Sequence, residues 1–184
     1  MGLTLSIKGD IDRISRDMTA LERKVIPKAT NRALNRTGKT AGSRVIRKLS
    51  QESGAKQMDI RRRFAFLVMS RPSTLSYLIR IRYGAMPLKD FSPKQTKQGV
   101  SAKAWGKTKV YKGAFKVDSL GGHVFTRKTD KRLPLKKLVG PMPAKIAGSH
   151  QVEGEVMEVI RQRLPVEMRA NVKYYLKQYI KRGR

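Results

Sequence analysis

The residues of this chain that could take part in chemistry are two histidines and a small number of acids. His123 and His150 are far apart in sequence, and neither has a neighbouring carboxylate in the pattern of a metal or acid–base site. We interpret each as a hydrogen-bonded or surface side chain. Asp90 with His123 is the pair on which an enzyme hypothesis depends, because acids distant in sequence can converge in space. We predict a protein that is not an enzyme and that needs no metal or cofactor.

Other residues that resemble parts of a site are better explained as structural. The chain has no Cys, which excludes thiolate chemistry, disulfides and cysteine zinc sites. Gly121-Gly122 lacks the Lys-Ser/Thr pair that follows a phosphate-binding loop, so we interpret it as a turn. Glu153, Glu155 and Glu158 open a predicted helix, where acids complement the helix dipole.

Positive charge is the strongest signal in the composition. Lys and Arg number 42 against 13 Asp and Glu in 184 residues, which gives a formal net charge of +29. This excess predicts a polyanionic partner: nucleic acid first, an acidic protein surface second and an anionic membrane third. The longest apolar run, residues 64–69, is far shorter than the roughly 20 residues that span a bilayer. We therefore expect a soluble protein with no membrane partner.

The helices that must position the basic side chains follow from apolar periodicity. Residues 3–7 alternate as a short strand, and apolar residues at spacings of three and four predict a helix over 11–25. Pro27 is expected to kink or restart this helix, which continues over 28–49 with a strongly basic face. Further helical segments are predicted at 56–64 and, with acids first, bases last and a kink at Pro165, at 152–180.

The strands follow from alternation and turn residues. The clearest strand pattern is TLSYLIRIRY at 74–83, and strand-like pieces follow at 99–105, 109–117 and 123–128. Residues 131–148 are expected to form an extended connection with at most a short helical turn at 135–139. The sequence therefore predicts an α+β fold, with long kinked N-terminal helices packed on a small antiparallel β-sheet and a long C-terminal helix.

We interpret residues 1–184 as a single domain, because this length suits one compact core. The loop around residues 84–99 contains two prolines and no clear element of its own. Long loops of this kind usually have a function, so we predict that it protrudes as an assembly arm.

Two sets of residues are candidates for partner contacts. The basic set is predicted to face DNA or an acidic neighbour, and it comprises Lys28, Arg32, Arg36, Lys39, Arg44, Arg61, Arg62, Arg63, Lys94, Lys97, Lys103, Lys107 and Lys109. The second set is predicted to form an assembly interface, and it comprises Pro87, Leu88, Phe91, Trp105 and Phe115. A run such as Arg61–Arg63 is equally typical of a solvated helix face, and only clustering in space makes it a binding patch.

Aromatic residues alternate with lysines in the predicted strands at Trp105, Tyr111, Phe115 and Phe125. Such a pattern suggests stacking on single-stranded nucleic acid. Aromatics in strands more often form a buried sheet face, and we favour that interpretation. The sequence contains no helix-turn-helix, zinc or RNA-binding sheet motif, so it gives little support for sequence-specific recognition.

Several strings of residues together resemble a known family. They are PLKDFSPKQTKQGVSAKAW at 87–105, KGAF at 112–115, GHVFTRK at 122–128, RLPLKKLVGP at 132–141 and IPKATNRALNRTGKTA at 26–41. In this order they are similar to the minor tail protein Z family of tailed bacteriophages and prophages. The resemblance covers most of the chain, and its strings are structural residues without a catalytic signature.

The resemblance implies a non-enzymatic virion protein of the neck or tail-completion type. Such a protein would form a ring homo-oligomer at the head-proximal end of the tail, between the head–tail connector and the tail terminator or tube proteins. Phage genomic DNA would pass through its channel, and the host cytoplasm would hold it during assembly. The alternative, from charge alone, is a non-specific nucleic-acid-binding module unrelated to virions.

Overall fold

A long helix with small residues on its inner face organises the first part of the chain. The structure is a computed structural model that describes residues 18–19, 21–127 and 129–182. A π-helical turn, Leu21–Val25, leads into helix α1, Ile26–Ser53. Ala29, Ala33 and Ala41 are fully buried, as the helical pattern predicts. The predicted strand at 3–7 and most of the predicted helix at 11–25 lie outside the described residues.

Short elements follow α1, and one long helix ends the chain. Gly54, with φ of 76°, ends α1 as predicted. The helices that follow are α2 (Gln57–Arg63), α3 (Pro143–Ala147) and α4 (His150–Arg182). The strands are β1 (Ala65–Val68), β2 (Leu78–Ile81), β3 (Lys94–Thr96), β4 (Gly99–Ala102), β5 (Lys109–Lys112), β6 (Ala114–Val117), β7 (His123–Arg127) and β8 (Leu135–Lys137).

The strands form small antiparallel sheets, so the predicted α+β fold is confirmed. One ribbon pairs β1 with β2, and two three-stranded sheets have the orders β3-β4-β5 and β6-β7-β8. The strand pattern at 74–83 is realised only at Leu78–Ile81, because residues 72–74 form a turn and Leu75 has a φ of 45°. The helical turn predicted at 135–139 is wrong, because Leu135 pairs with Arg127 in β8.

The chain divides into two compact units. Unit 1 combines the residues up to Thr40, Val68–Leu78 and the residues from Val159 onward, and unit 2 combines Ala41–Leu67 with Ile79–Glu158. Within unit 1, the amide of Asn35 forms two hydrogen bonds with the backbone of Ser70, at 3.0 and 2.8 Å. These bonds attach the β1–β2 connection to α1. The interpretation of residues 1–184 as one domain stays a prediction.

The core of unit 2 contains the segment that the sequence suggested would protrude. Met86, Leu88 and Phe91 are at most 1% exposed. The N–H of Met86 donates to the carbonyl of Pro141 at 2.9 Å, and the N–H of Gly140 donates back to Met86 at 2.7 Å. Residues 86–91 are therefore part of the core, because their apolar side chains and backbone groups both find partners there. The protruding arm predicted around residues 84–99 therefore does not include the side chains of Met86, Leu88 and Phe91, and for the rest of the loop it stays a prediction.

Two glycines offer a matched test of the packing around strand β4. Gly99 has a φ of 148°, and an added Cβ would overlap the backbone carbonyl of Tyr111. Gly154 lies inside α4 with nothing within 4 Å of an added Cβ. We expect Gly99→Ala to lower the free energy of unfolding by about 1–3 kcal/mol from backbone strain alone. Gly154→Ala should raise it by about 0.5–1 kcal/mol, because Ala is the better helix former.

Urea unfolding followed by circular dichroism measures both changes. The described packing around β4 would be contradicted if Gly99→Ala were as stable as the unmodified chain. Gly154→Ala reports whether alanine substitution by itself perturbs the protein.

Candidate nucleic-acid interface

The basic face of α1 in unit 1 is partly used for internal contacts. The guanidinium of Arg32 lies over the ring of Tyr174 at 4.9 Å from its centroid, and contacts with Tyr175 and Tyr174 raise the pKa of Arg32. Arg36 donates to the carboxylate of Glu167 at 3.2 Å. Lys28 and Lys39 are exposed and form no ion pair within the described residues. These two lysines are therefore the members of the predicted set on the unit 1 part of α1 that remain free for a partner.

A second basic surface lies on the part of α1 that belongs to unit 2. Arg44, Arg47, Lys48 and Gln51 line a cleft of about 280 Å³ together with Glu155 of α4. Lys48 donates to Glu155 at 2.7 Å, and this hydrogen bond lowers the pKa of Glu155 and raises that of Lys48. Lys48 is therefore used internally by its ion pair with Glu155. Arg44 and Arg47 form no ion pair within the described part of the chain.

A third basic surface surrounds Arg62 and Arg63 of α2. These two arginines and Arg82, just beyond β2, line a cleft of about 410 Å³. We call this the arginine–aromatic cleft, because its remaining lining residues are Phe64, Phe66, Tyr83, Gly84 and Ala85. Arg62 and Arg63 therefore show the clustering in space that makes a binding patch. Arg61 is exposed beside them but does not line the cleft.

Sequence reasoning missed Arg82, Tyr83 and Phe66 as members of a candidate site. The sequence offers one signal for Arg82. The alternation in TLSYLIRIRY places this arginine on the outer face of a strand, where a partner can reach it. The strand that pairs with it, β1, was read only as an apolar run, so its neighbours across the ribbon could not be identified.

Arg63 is held in place by two acids. Its guanidinium contacts the carboxylate of Asp90 at 2.6 Å and that of Asp59 at 3.5 Å. The Asp90 side chain is only 9% exposed, so this ion pair is shielded from solvent. Asp90 is therefore the structural partner of Arg63, and its carboxylate is not free to act as a base.

Lysines dominate the surface of the β3-β4-β5 sheet and its connections. Every predicted member is exposed, and the set consists of Lys94, Lys97, Lys103, Lys107 and Lys109. None of the five forms an ion pair within the described residues. The ammonium of Lys109 lies 5.9 Å from the centroid of the Tyr111 ring. Residues 91–117 contain no acid, so this surface presents uncompensated positive charge.

The predicted assembly residues have different locations. Leu88 and Phe91 lie in the core, so their side chains cannot contact a partner in this conformation. Pro87 and Phe115 are half-buried, and the Arg127 guanidinium lies 5.2 Å from the Phe115 ring centroid. Trp105 is 53% exposed in a left-handed turn with φ of 56°.

Trp105 therefore does not belong to the buried sheet face predicted for the strand aromatics. Phe115 and Phe125 are half-buried and pair across β6 and β7. Tyr111 is half-buried opposite the buried Val100, and this burial raises its pKa.

His123 does not form an acid–base pair with Asp90. Its Nε2 lies 3.2 Å from the ammonium of Lys137, so the neutral ring can accept a hydrogen bond there. Burial, followed by the charges of Lys137 and Lys89, lowers the pKa of His123. No group of three His, Asp or Glu side chains suited to a metal ion occurs within residues 18–19, 21–127 and 129–182.

Within the described residues, no helix is both long and apolar enough to cross a bilayer.

Comparison with known proteins gives one family. The family model described as prophage minor tail protein Z (GPZ) matches residues 7–182. No curated protein and no solved structure matches the chain significantly.

The electrostatics around His123 can be tested by titration. The ordinary histidine pKa is 6.5, and it is lower in the folded state. The unfolded chain therefore binds more protons just below pH 6.5, and stability should fall as the pH decreases from there to the folded-state pKa. Lys137→Gln should raise the His123 pKa toward its ordinary value, because it removes a neighbouring positive charge.

Proton NMR of the His123 ring measures this pKa, and His150→Gln leaves a single histidine signal to follow. Lys136→Gln, on the same strand, is the matched control for charge loss. An unchanged His123 pKa in Lys137→Gln would contradict the assigned contact.

Proposed function

Because the chain belongs to the prophage minor tail protein Z family, whose members are structural proteins of phage tails, we propose that it is a neck or tail-completion subunit. In this proposal, copies of the chain form a ring at the head-proximal end of the tail. The ring joins the tail to the head–tail connector, contacts the tail terminator or tube proteins and surrounds the path of the genomic DNA. The chain is in the host cytoplasm during assembly and in the virion afterwards.

The unpaired basic side chains carry this proposal. Each copy has a formal net charge of +29, so copies in a closed ring repel one another unless a polyanion neutralises them. Duplex DNA carries about one negative charge per 1.7 Å of its axis, which makes it a suitable counter-charge. Exposed cations that form no internal ion pair in the described residues are available to meet it, and they include Lys28, Lys39, Arg44, Lys94, Lys97, Lys103, Lys107 and Lys109.

A ring also needs two different faces on each subunit, because its contacts are head-to-tail. Trp105 is the best-supported contact residue of the predicted assembly set. A large exposed aromatic ring on a fixed turn is typical of a residue that contributes strongly to an interface. Pro87 and Phe115 remain candidates beside it, whereas the buried Leu88 and Phe91 support the fold.

The alternative is a nucleic-acid-binding module unrelated to virions, and it rests on the positive charge alone. That charge is equally expected of a tail protein close to DNA, and the family match covers residues 7–182. The enzyme hypothesis rested on Asp90 with His123. Their side chains have other partners, Arg63 and Lys137 respectively.

We expect Trp105→Ala to block the joining of heads and tails, because it removes an exposed aromatic contact while leaving the buried core intact. A phage lacking this gene, complemented with the variant, would yield separate heads and tails in electron micrographs. Leu120→Ala is the matched control, since Leu120 is also 53% exposed. Joined particles in normal numbers with Trp105→Ala would contradict this interface.

We also expect duplex DNA to bind with a steep salt dependence. The logarithm of the binding constant should fall with the logarithm of salt concentration, with a slope of about −0.9 per contacted phosphate. Replacing Lys103, Lys107 and Lys109 with Gln should therefore make the slope shallower, by up to about 2.7 if each contacts one phosphate. Fluorescence anisotropy of a labelled duplex at several salt concentrations measures it.

A variant with Lys173, Lys177 and Lys181 changed to Gln has the same net charge and serves as the control for overall charge. Equal slopes for the two triple variants would show that the lysine surface on the β3-β4-β5 sheet has no specific part in DNA binding.

A further inference from the structure

We propose that the arginine–aromatic cleft binds one unpaired nucleotide of a nucleic acid strand. The phosphate lies between the guanidinium groups of Arg62 and Arg82, and the base stacks on the ring of Tyr83, the more exposed of the two rings. The inference rests on the proposed function in one respect, because it takes a single-stranded stretch or a displaced base of the DNA in the channel as the ligand.

The cleft has the size and the lining that such a ligand requires. Its volume of about 410 Å³ falls in the range of small-molecule sites, roughly 300–1,000 Å³. Tyr83 is 72% exposed and Phe66 is 49% exposed, so both rings offer a face to a ligand. The exposed rings of Tyr83 and Phe66 do not pack in the core of unit 2. The neighbouring Phe64 and Ala65 are the buried residues that pack there.

Two of the three arginines are available for a ligand. Arg82 forms no ion pair within the described residues, and Arg62 has only a distant partner, Asp59 at 3.8 Å. A guanidinium presents a planar set of donors that matches the oxygens of a phosphate. The third arginine, Arg63, also has an Nε–H without an acceptor in the described part of the chain. The cleft thus combines free positive charge with hydrogen-bond donors.

The walls of the cleft are fixed before a ligand binds. The contact of Arg63 with Asp90 at 2.6 Å holds α2 against the turn at Leu88–Phe91. The N–H of Arg82 donates to the carbonyl of Phe64 at 2.7 Å, which holds the residue after β2 against the start of β1. A site with fixed walls loses less entropy when it binds, so a single nucleotide is a sufficient ligand.

The exposed rings indicate an unpaired strand. In a duplex the bases are stacked inside and only their edges are accessible, so a protein ring reaches a base face only where the strand is single or the base is displaced. Stacking works for every base, so we expect little sequence preference. An acidic protein segment would satisfy the arginines but would leave both rings unused.

The test compares four probes on the full-length protein. Fluorescein-labelled oligodeoxythymidylate of eight nucleotides is titrated at moderate salt, next to a duplex of the same length, an abasic deoxyribose-phosphate strand of the same length and a labelled oligoglutamate peptide. We expect Tyr83→Ala to weaken binding of the thymidylate strand by about fivefold or more, as the loss of one stacking contact predicts. Binding of the duplex and of the abasic strand should be unchanged.

Two pairs of variants separate the contributions of ring and charge. Tyr83→Phe keeps the ring and should retain thymidylate binding, which excludes a purely structural effect of the tyrosine. Arg82→Gln should weaken thymidylate and abasic strand alike, because it removes a phosphate contact. Arg80→Gln, two residues earlier on strand β2, is its control and should have a smaller effect.

The outcomes distinguish this inference from the proposed function. If Tyr83→Ala lowers the affinity for the abasic strand as much as for thymidylate, or changes neither, base stacking in the cleft is wrong while duplex binding still supports the proposed function. If oligoglutamate binds best and depends on Arg82, the cleft is a protein-docking site and the inference fails. If neither duplex nor single strand binds at any salt concentration, the DNA-facing role falls together with it.

Discussion

The packing of Phe91 against Gly140 is the contact on which two surfaces of unit 2 depend. The Phe91 ring occupies the space that a Cβ at Gly140 would take, 2.7 Å away. With Phe91 in place, Asp90 is held where it pairs with Arg63, and the carbonyl of Phe91 accepts a hydrogen bond from the N–H of Lys103 at 3.1 Å. One buried ring therefore positions both the arginine–aromatic cleft and the turn that presents Trp105.

Charge and fold contribute separately to what the protein can do. Basic side chains are present along the whole chain, yet the fold uses several of them internally, as Arg36 with Glu167 and Lys48 with Glu155 show. Among the residues that the structure describes, the cations without an ion pair lie mainly on exposed helix faces and on a sheet whose segment, residues 91–117, has no acid. Net charge indicates a polyanionic partner, whereas the internal ion pairs decide which side chains meet it.

Periodicity and composition predicted the long helices well. The apolar spacing from Ala29 to Leu49 corresponds to the buried face of α1, and of the three acids predicted to open the last helix, Glu153 lies in the first turn of α4, as the helix dipole favours. The family resemblance carried by the strings at 26–41 and 87–141 also agrees with the matched family. The helices are local features, so they can be read from spacing alone.

Long-range pairing could not be read in the same way. Residues 86–91 look like a loop because of Pro87 and Pro93, and their burial follows from backbone pairing with Pro141 and Gly140, about 50 positions further along the chain. The strand β8 was missed for the same reason, since Leu135 gains its partner only from β7. The arginine–aromatic cleft required knowing that β1 lies next to β2, which no local pattern specifies.

The single tryptophan gives the chain an optical property of its own. Trp105 is the only indole in 184 residues, and the solvent reaches about half of it. Its emission therefore comes from one known turn at the end of β4, without contributions from elsewhere in the chain. Any partner that covers this turn would shift the emission toward shorter wavelengths, so the unlabelled protein can signal its own incorporation into a larger particle.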